Sequence, residues 1–261
     1  MEIPFQKQAI GYLKTILHQQ KKEEYTYQIR LTDSMPDIGR VLGCWGQILI
    51  RGKEWRSDYL SVTGGVMAWV LYQPEDNSEP CAASAWIPFQ MKWEIEECER
   101  DGSIEVCTSL GHIDARMLSD RKLIVRANIC AQIHAVVSEE TDVCVPTELP
   151  DGVQVLQNAY PMVFPVEAGE KEFEIEQQLD IPQDAARIKK VIRFESKPVL
   201  NEYKIVADKL VLRGTAEIYV LYVDDLGRFC NETWQVPFSQ YAQLDREYEP
   251  TAEVTVCFEV T

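Results

Sequence analysis

The sequence repeats itself at a distance of about 150 residues, and this repeat restricts the possible folds more than any other feature. When the chain is shifted along itself, four groups of residues come into line in the same order. In the first copy they are residues 25–31, 36–41, 64–72 and 88–89, and in the second they are 173–179, 183–188, 214–222 and 237–238. The offsets drift only between 147 and 150 residues, so we infer one fold that is built twice.

Each copy has the residue pattern of β-strands. Residues 66–72 are apolar at odd and even positions alike, which predicts a central strand covered on both faces, and residues 215–222 are their counterpart. Residues 104–110 and 254–260 alternate apolar with mostly polar side chains, which predicts strands with one buried face. Residues 10–17 fit a short helix or a strand, and the repeat favours the strand. We therefore predict an all-β chain of two tandem β-sandwich-like domains.

The domain boundaries follow from the repeat and from composition. Residues 1–140 form the first unit, residues 141–152 a linker, and residues 153–261 the second unit. The linker lies in a mostly polar stretch, 138–152, that contains Pro146 and Pro150. Each copy also contains a short element with an aspartate in second place, which is Pro36-Asp37 in the first copy and Gln183-Asp184 in the second. Both aspartates are predicted to stand near the N-terminus of a helical turn, where free N–H groups favour a carboxylate.

The two copies differ in length. The first continues through residues 112–137, which predict a hairpin around residues 118–121, whereas the second has no counterpart for this hairpin. A second unit without it is expected to end in an unpaired sheet edge with exposed apolar surface, and such an edge invites pairing with another chain. The candidate interaction edge consists of Val254, Val256, Phe258 and Val260.

Three explanations of the missing hairpin stay open at this stage. The sequence ends before the second unit is complete, or the first 24 residues close that unit, or a neighbouring molecule supplies strands and so builds oligomers or fibres. We favour closure, within or between molecules, over a dangling edge.

The net charge and the hydropathy of the sequence disfavour several classes of binding partner. The net charge of −16, from 26 basic and 42 acidic residues, opposes binding to phosphate backbones and to anionic membrane surfaces. No apolar run approaches the roughly 18 residues that a membrane span requires, and no signal peptide is visible, so we predict no membrane insertion and synthesis inside the cell.

Residue patterns that carry chemistry are missing from the sequence. The three histidines, His18, His112 and His134, stand in no nucleophile or metalloprotease motif, and we interpret them as structural. The eight cysteines form no CxxC pair, so a zinc site is poorly supported, and they are interpreted either as buried and reduced or as sites of late cross-linking. The acidic stretch 94–101 lacks the order of a calcium loop. We predict no catalytic residue, no metal and no cofactor.

The aromatic residues on the strand-like stretches are predicted to fill the core of each unit. They are Trp69, Trp86, Phe89, Trp93, Tyr219, Trp234 and Phe238. If some of them are exposed instead, the chain is a carbohydrate- or peptidoglycan-associated binding module, which is the alternative we keep. A β-sandwich hydrolase with two facing carboxylates is the weakest hypothesis.

The repeated pattern resembles the SPOCS domain, which occurs in tandem in sporulation proteins of anaerobic spore-forming bacteria. In the first copy the resemblance rests on residues 36–42, 70–72, 87–89 and 119–125, and in the second on residues 151–156, 181–182, 214, 220–223 and 237–238. It covers nearly the whole chain, as one complete copy and one incomplete copy.

The resemblance implies a non-catalytic structural or adaptor protein of spore coat or envelope assembly. Its partners would be other spore-coat or morphogenetic proteins, or further copies of the chain in a homo-oligomer or polymer, with synthesis in the mother cell and a final place at the spore coat or surface. Relatives of this kind carry a C-terminal LysM module, which this sequence lacks, so the resemblance does not extend to the peptidoglycan binding of those relatives.

Overall fold

The computed structural model describes residues 5–96, 102–146, 156, 158, 160, 162–181 and 187–261. In these residues the chain forms strands and no helix, as the alternating apolar pattern predicts. The strands are β1 (Phe5–Arg30), β2 (Ile38–Trp55), β3 (Tyr59–Pro74), β4 (Cys81–Glu94), β5 (Ser103–Ser119), β6 (Lys122–Pro146), β7 (Ile188–Val206), β8 (Lys209–Asp224) and β9 (Phe229–Gln243). The prediction of an all-β chain is confirmed, and residues 10–17 belong to a strand.

Two antiparallel three-stranded sheets enclose the core of the first unit. One has the strand order β2-β3-β4 and the other β1-β6-β5, so β3 and β6 are the central strands. Every second side chain of these two strands points between the sheets, and Val66, Val70, Ile129 and Ile133 are all at most 1% exposed there. The predicted central position of residues 66–72 is therefore confirmed.

A third sheet, β7-β8-β9, reproduces β2-β3-β4 in the second unit down to the irregularities of its ladder. The β2–β3 pairing shifts at three places, and the β7–β8 pairing shifts at the three positions 150 residues later. These shifts lie at Ile38/Arg40, Val41/Gly43 and Ile50/Gly52, and at Ile188/Lys190, Val191/Arg193 and Leu200/Glu202. Because bulges bend and twist a strand at defined points, their shared placement shows that the two sheets are copies of one structure.

One part of the sequence alignment is wrong. It paired Arg40 with Arg187, whereas the ladders equate Arg40 with Lys190. Asp37 and Arg187 hold the same position, because the carbonyl of each accepts a hydrogen bond from the N–H that follows β3 or β8, at 3.0 and 2.9 Å. The sequences of the two elements are similar, and this similarity produced the wrong offset. The feature that they share in the structure is a backbone hydrogen bond, which does not depend on the side chain.

The loop between β1 and β2 is held by Arg121 from the turn between β5 and β6. Its guanidinium donates to the carbonyl oxygens of Met35 and Thr32, both at 2.6 Å, and to the carboxylate of Asp37 at 2.7 Å. Two of the stretches on which the family resemblance rests are thereby joined in space. No helical turn forms at Asp37, so that expectation is wrong, and Asp184 lies outside the described residues.

The second sheet of the second unit is not formed among the described residues. The counterparts of β1 and β5 are residues 162–181 and 251–261, and neither is assigned to a strand apart from isolated hydrogen bonds. The strand they lack is the equivalent of β6, which in the first unit lies between β1 and β5 and bonds to both. Among the described residues no strand lies between these two flanks, and the interaction edge at Val254, Val256, Phe258 and Val260 stays a prediction.

The first 24 residues do not close the second unit. From Phe5 to Arg30, β1 pairs with β6 of the first unit, and the described contact to the second unit is the bond from the Leu13 N–H to the Pro165 carbonyl at 2.8 Å. The predicted closure of the second unit by the first 24 residues is wrong, because β1 pairs along its whole length with β6 of its own unit. As β6 extends to Pro146, residues 141–146 of the predicted linker lie in a strand, while residues 147–152 fall outside the described residues.

The two units meet through equivalent residues. Cys107 and Cys257, which are 150 residues apart, form a disulfide with their Cα atoms at 6.2 Å. On β2, the Gln47 side chain donates to the Ser196 carbonyl at 2.9 Å and accepts from the Ser196 N–H at 3.2 Å. Residue 196 is the counterpart of residue 46, so the contact joins nearly the same position of β2 and β7.

The disulfide contradicts the interpretation that all cysteines are buried and reduced. Among the other described cysteines, Cys144 is exposed, and four are half-buried and free: Cys44, Cys81, Cys130 and Cys230. The described residues also contain no helix that is long and apolar enough to cross a membrane.

Candidate interaction surface

The inward face of β7-β8-β9 is less covered than the same face in the first unit. Val66 and Val70 are fully buried, whereas their counterparts Ala216 and Val220 have 6% and 7% of their surface exposed to solvent. Leu60 and Val62 are also fully buried, but the residues at their places, 210 and 212, are only half-buried. The difference follows from the missing sheet, because nothing among the described residues replaces the β6 side chains that cover β3.

The candidate edge residues line this incompletely covered side. Val254, Val256, Phe258 and Val260 are half-buried, and the Phe258 ring packs edge-on against Phe238 of β9 with centroids 5.6 Å apart. From the opposite flank Phe173 reaches the same ring at 5.4 Å. The Tyr25–Phe89 pair of the first unit, at 5.8 Å, is the counterpart of the Phe173–Phe238 pair. Both flanks therefore contact β7-β8-β9 even though no strand joins them.

The same segment also contacts the first unit. Cys257 forms the disulfide with Cys107, and the Val260 carbonyl accepts from the Ile50 N–H at 2.9 Å. Segment 251–261 is therefore anchored on the first unit through Cys257 and the Val260 carbonyl, while the Phe258 ring packs against the second unit.

A partly buried charge cluster accompanies this anchor. Glu259 lies 3.6 Å from the Lys53 ammonium group, which also pairs with Glu170 at 2.7 Å. Burial raises the pKa of the Glu259 carboxyl above its ordinary value, and the attraction of Lys53 offsets only part of that rise. Charging Glu259 therefore opposes the packing of segment 251–261 on the first unit.

Two of the histidines form a polar cluster on the outer face of β1-β6-β5. Thr15 Oγ1 lies 3.0 Å from His134 Nε2, Glu105 lies 3.7 Å from His134 Nδ1, and the rings of His18 and His134 are 5.2 Å apart. The order hydroxyl, imidazole, carboxylate matches a nucleophile, a base and its orienting acid. The Glu105 carboxylate is too far from Nδ1 to hold the imidazole by a hydrogen bond, so the cluster lacks the geometry of a catalytic triad.

The aromatic residues divide between core and outer faces. Phe89, Trp93 and Phe238 are buried as predicted, but the other four are half-buried because they point away from the core: Trp69, Trp86, Tyr219 and Trp234. The Arg51 guanidinium lies over the ring of Trp86 at 5.4 Å, where a sugar would stack. Trp86 therefore offers no open platform for a sugar ring on the side that Arg51 covers. The glycan-binding alternative stays a prediction.

Two further features bear on ligand binding. Of the acidic stretch, Glu94 and Glu96 are exposed in the structure, and residues 97–101 lie outside the described part. Among the described residues no group of three or more His, Cys, Asp or Glu side chains is arranged to hold a metal ion.

Sequence reasoning missed the structural roles of three residues. Cys107 and Cys257 stand at the same place in the repeat, and this coincidence was the available signal for their pairing. Arg121 was noted only as part of a family motif, and no local pattern indicates that its side chain reaches a loop more than 80 residues away.

The fold defines a class of protein: an all-β tandem repeat whose described residues form two sheets in the first unit and one sheet in the second. Residues 187–261 match a family model described as "SipL, SPOCS domain", which covers β7, β8, β9 and segment 251–261. This match confirms the resemblance to SPOCS domains and associates the second unit with sporulation. No curated protein and no solved structure matches the chain.

Proposed function

We propose that this chain is a non-catalytic structural or adaptor protein of spore coat or envelope assembly, and that it acts through protein–protein contacts. The observation that carries the proposal is the incompletely covered apolar side of the second unit among the described residues, where Val254, Val256, Phe258 and Val260 are only half-buried. A SPOCS match at this unit supports the link to sporulation. Strand complementation is the mode of contact, with another copy or a different coat protein as the donor.

Several features support a scaffold over an enzyme. The polar cluster around His134 lies on an open sheet face and lacks the geometry that acyl transfer needs. The net charge of −16 favours partners that offer apolar strands or basic surfaces over nucleic acid. Synthesis in the mother cell followed by a place at the spore coat or surface completes the proposal.

A localisation experiment in a sporulating host tests the function. A fluorescent fusion of the chain should collect around the forming spore, and Val256→Asp should leave it dispersed in the mother cell, because a charge on the inward face of segment 251–261 disfavours apolar strand pairing. The matched control is Leu226→Asp, at a 70% exposed position in the turn between β8 and β9.

The proposal fails if the wild-type fusion never associates with the spore, or if Val256→Asp associates as well as Leu226→Asp does. Near-UV circular dichroism of both purified variants checks that each is folded. Sedimentation velocity at rising concentration then distinguishes the donors, since another copy as donor makes the wild-type chain grow in size by itself.

A further inference from the structure

We infer that His18 and His134 form a zinc-binding site on the outer face of β1-β6-β5, with their two imidazoles as protein ligands and water at the remaining positions. The inference goes beyond the proposed function and does not depend on it. The two histidines are directly opposed in the β1–β6 ladder. Directly opposed residues of an antiparallel pair have their Cβ atoms about 4.5–5.5 Å apart, so both imidazoles can reach one ion.

The separation of the two rings fits the tetrahedral geometry that zinc prefers. Zinc binds an imidazole nitrogen at about 2.0–2.1 Å, which places the ring centroid about 3.2 Å from the ion. The centroids of His18 and His134 are 5.2 Å apart, so they subtend an angle of about 109° at a shared ion. Neighbouring ligands of an octahedral ion, at about 90°, would need centroids only about 4.5 Å apart. The spacing therefore favours zinc over ions that demand octahedral coordination.

The hydrogen bonds of the two rings leave the lone pair on Nε2 in each. The side-chain amide nitrogen of Gln132 lies 2.9 Å from His18 Nε2, and because an amide nitrogen only donates, this Nε2 is an acceptor. Glu105 stands 3.7 Å from His134 Nδ1 and favours the proton there, so His134 Nε2 accepts from the Thr15 hydroxyl at 3.0 Å. Rotation of each ring exchanges one neutral hydrogen bond on an outer face for a bond to the metal.

The surroundings of the pair suit a divalent cation. His18 is exposed and the His134 side chain is 33% exposed, so an ion reaches both rings from solvent. The Glu105 carboxylate adds negative charge beside His134 on the neighbouring strand. Among the described residues no group of three or more His, Cys, Asp or Glu side chains is arranged to hold a metal. Water therefore completes the coordination, and binding is weaker than at a structural site with four protein ligands.

The bound ion clamps the edge strand of its sheet at a weak point. β1 lies at the edge of β1-β6-β5, and its pairing with β6 shifts between Thr15 and Leu17, immediately before His18. Because a bulge interrupts the ladder, a chelate across the two strands next to it holds the register there. Zinc binds the paired strands better than two separated histidines, so it stabilises the folded first unit.

Titration of the full chain with Co²⁺ tests the site, because Co²⁺ replaces zinc and absorbs visible light far more strongly in tetrahedral than in octahedral coordination. The wild-type chain should give the tetrahedral spectrum, and added Zn²⁺ should abolish it. His18→Asn and His134→Asn should each weaken binding at least about tenfold, because each removes one of two protein ligands. The matched control is His112→Asn, at the third histidine of the chain, which lies on β5 outside the pair and should leave binding unchanged.

Nuclear magnetic resonance of the imidazole nitrogens provides a measurement that does not depend on variants. Addition of Zn²⁺ to the wild-type chain should shift the ring signals of His18 and His134 and leave those of His112 in place. The thermal midpoint of the wild-type chain should rise with the concentration of Zn²⁺, and that of His134→Asn should respond less.

Several outcomes would overturn the inference. One is a Co²⁺ spectrum that stays octahedral, and another is the near-ultraviolet charge-transfer absorption of thiolate ligands, which would assign the ion to the free cysteines. A third is a loss of binding in His112→Asn as large as that in His134→Asn. The last is a Zn²⁺ titration that moves neither the His18 nor the His134 ring signals.

Discussion

Cys107 and Cys257 hold the same position in the two repeat units, 150 residues apart, and a disulfide joins them. Two equivalent residues can touch only if they lie close to the axis that relates the units. The Gln47–Ser196 contact lies close to the same axis. The bond therefore ties the second unit to the first at equivalent positions and holds segment 251–261 in place.

The first prediction concerns this bond. Reduction should lower the thermal midpoint, because opening a cross-link that closes about 150 residues costs about 5 kcal/mol in the chain-entropy account. Calorimetry with and without dithiothreitol measures the loss. Cys257→Ser should remove the response to reductant, while Cys144→Ser, at an exposed free cysteine, should keep it. Eight titratable thiols in the untreated folded protein, instead of six, would contradict the pairing.

The second prediction concerns Arg121. Replacing it with alanine should destabilise the first unit by about 1–3 kcal/mol, because the half-buried Met35 carbonyl, the Thr32 carbonyl and the Asp37 carboxylate lose their donor. Urea unfolding measures the change. Arg116→Ala is the control, since that side chain is 70% exposed and pairs only with Asp114 on the surface, so its loss should cost at most about 0.5 kcal/mol. Equal effects of the two substitutions would show that Arg121 does not hold the loop.

A third prediction uses the glycines beneath the core phenylalanines. A Cβ atom at Gly64 would lie 2.3 Å from the Leu49 carbonyl oxygen, and one at Gly214 would lie 2.4 Å from the Val199 carbonyl and 2.2 Å from the Phe238 ring. Alanine at either position should cost about 1–3 kcal/mol or more, because the backbone cannot move away. Gly11→Ala, with nothing within 4 Å of its Cβ, is the control. Chemical denaturation that fails to separate Gly11→Ala from the other two variants would refute the close packing.

The fourth prediction is a pH dependence centred on Glu259. Its pKa is raised by burial, so the folded chain binds this proton more tightly than the unfolded chain does. The stabilising contribution is complete below the ordinary carboxyl pKa, and it is lost as the pH rises through the raised value. Glu259→Gln should therefore gain stability relative to wild type at neutral pH and differ little from it at acidic pH.

Unfolding free energies of both proteins across this range measure the difference. Glu253→Gln is the control, because that residue is exposed in the same segment and no ion pair holds it among the described contacts. A wild-type chain that becomes more stable than Glu259→Gln as the pH rises would mean that the attraction of Lys53 outweighs the burial.

Much of the fold follows from local patterns. The apolar run 66–72 predicted β3 as a central strand, because a strand that is apolar on both faces must be covered on both. The hairpin turn at residues 118–121 was predicted as well, since β5 ends at Ser119 and β6 begins at Lys122. The helical turn at Asp37 was not formed, because the loop there is organised by Arg121 from another part of the chain.

By itself the sequence determined the all-β class and the tandem repeat, because strand alternation and self-similarity are properties of neighbouring residues and of order along the chain. Only the tertiary structure decided the order of the strands in each sheet. The sheet order β1-β6-β5 brings the first and last strands of the unit together, and such pairing depends on closure of the whole core. For that reason no local pattern reveals that β6, the last strand of the first unit, lies at the centre of its sheet.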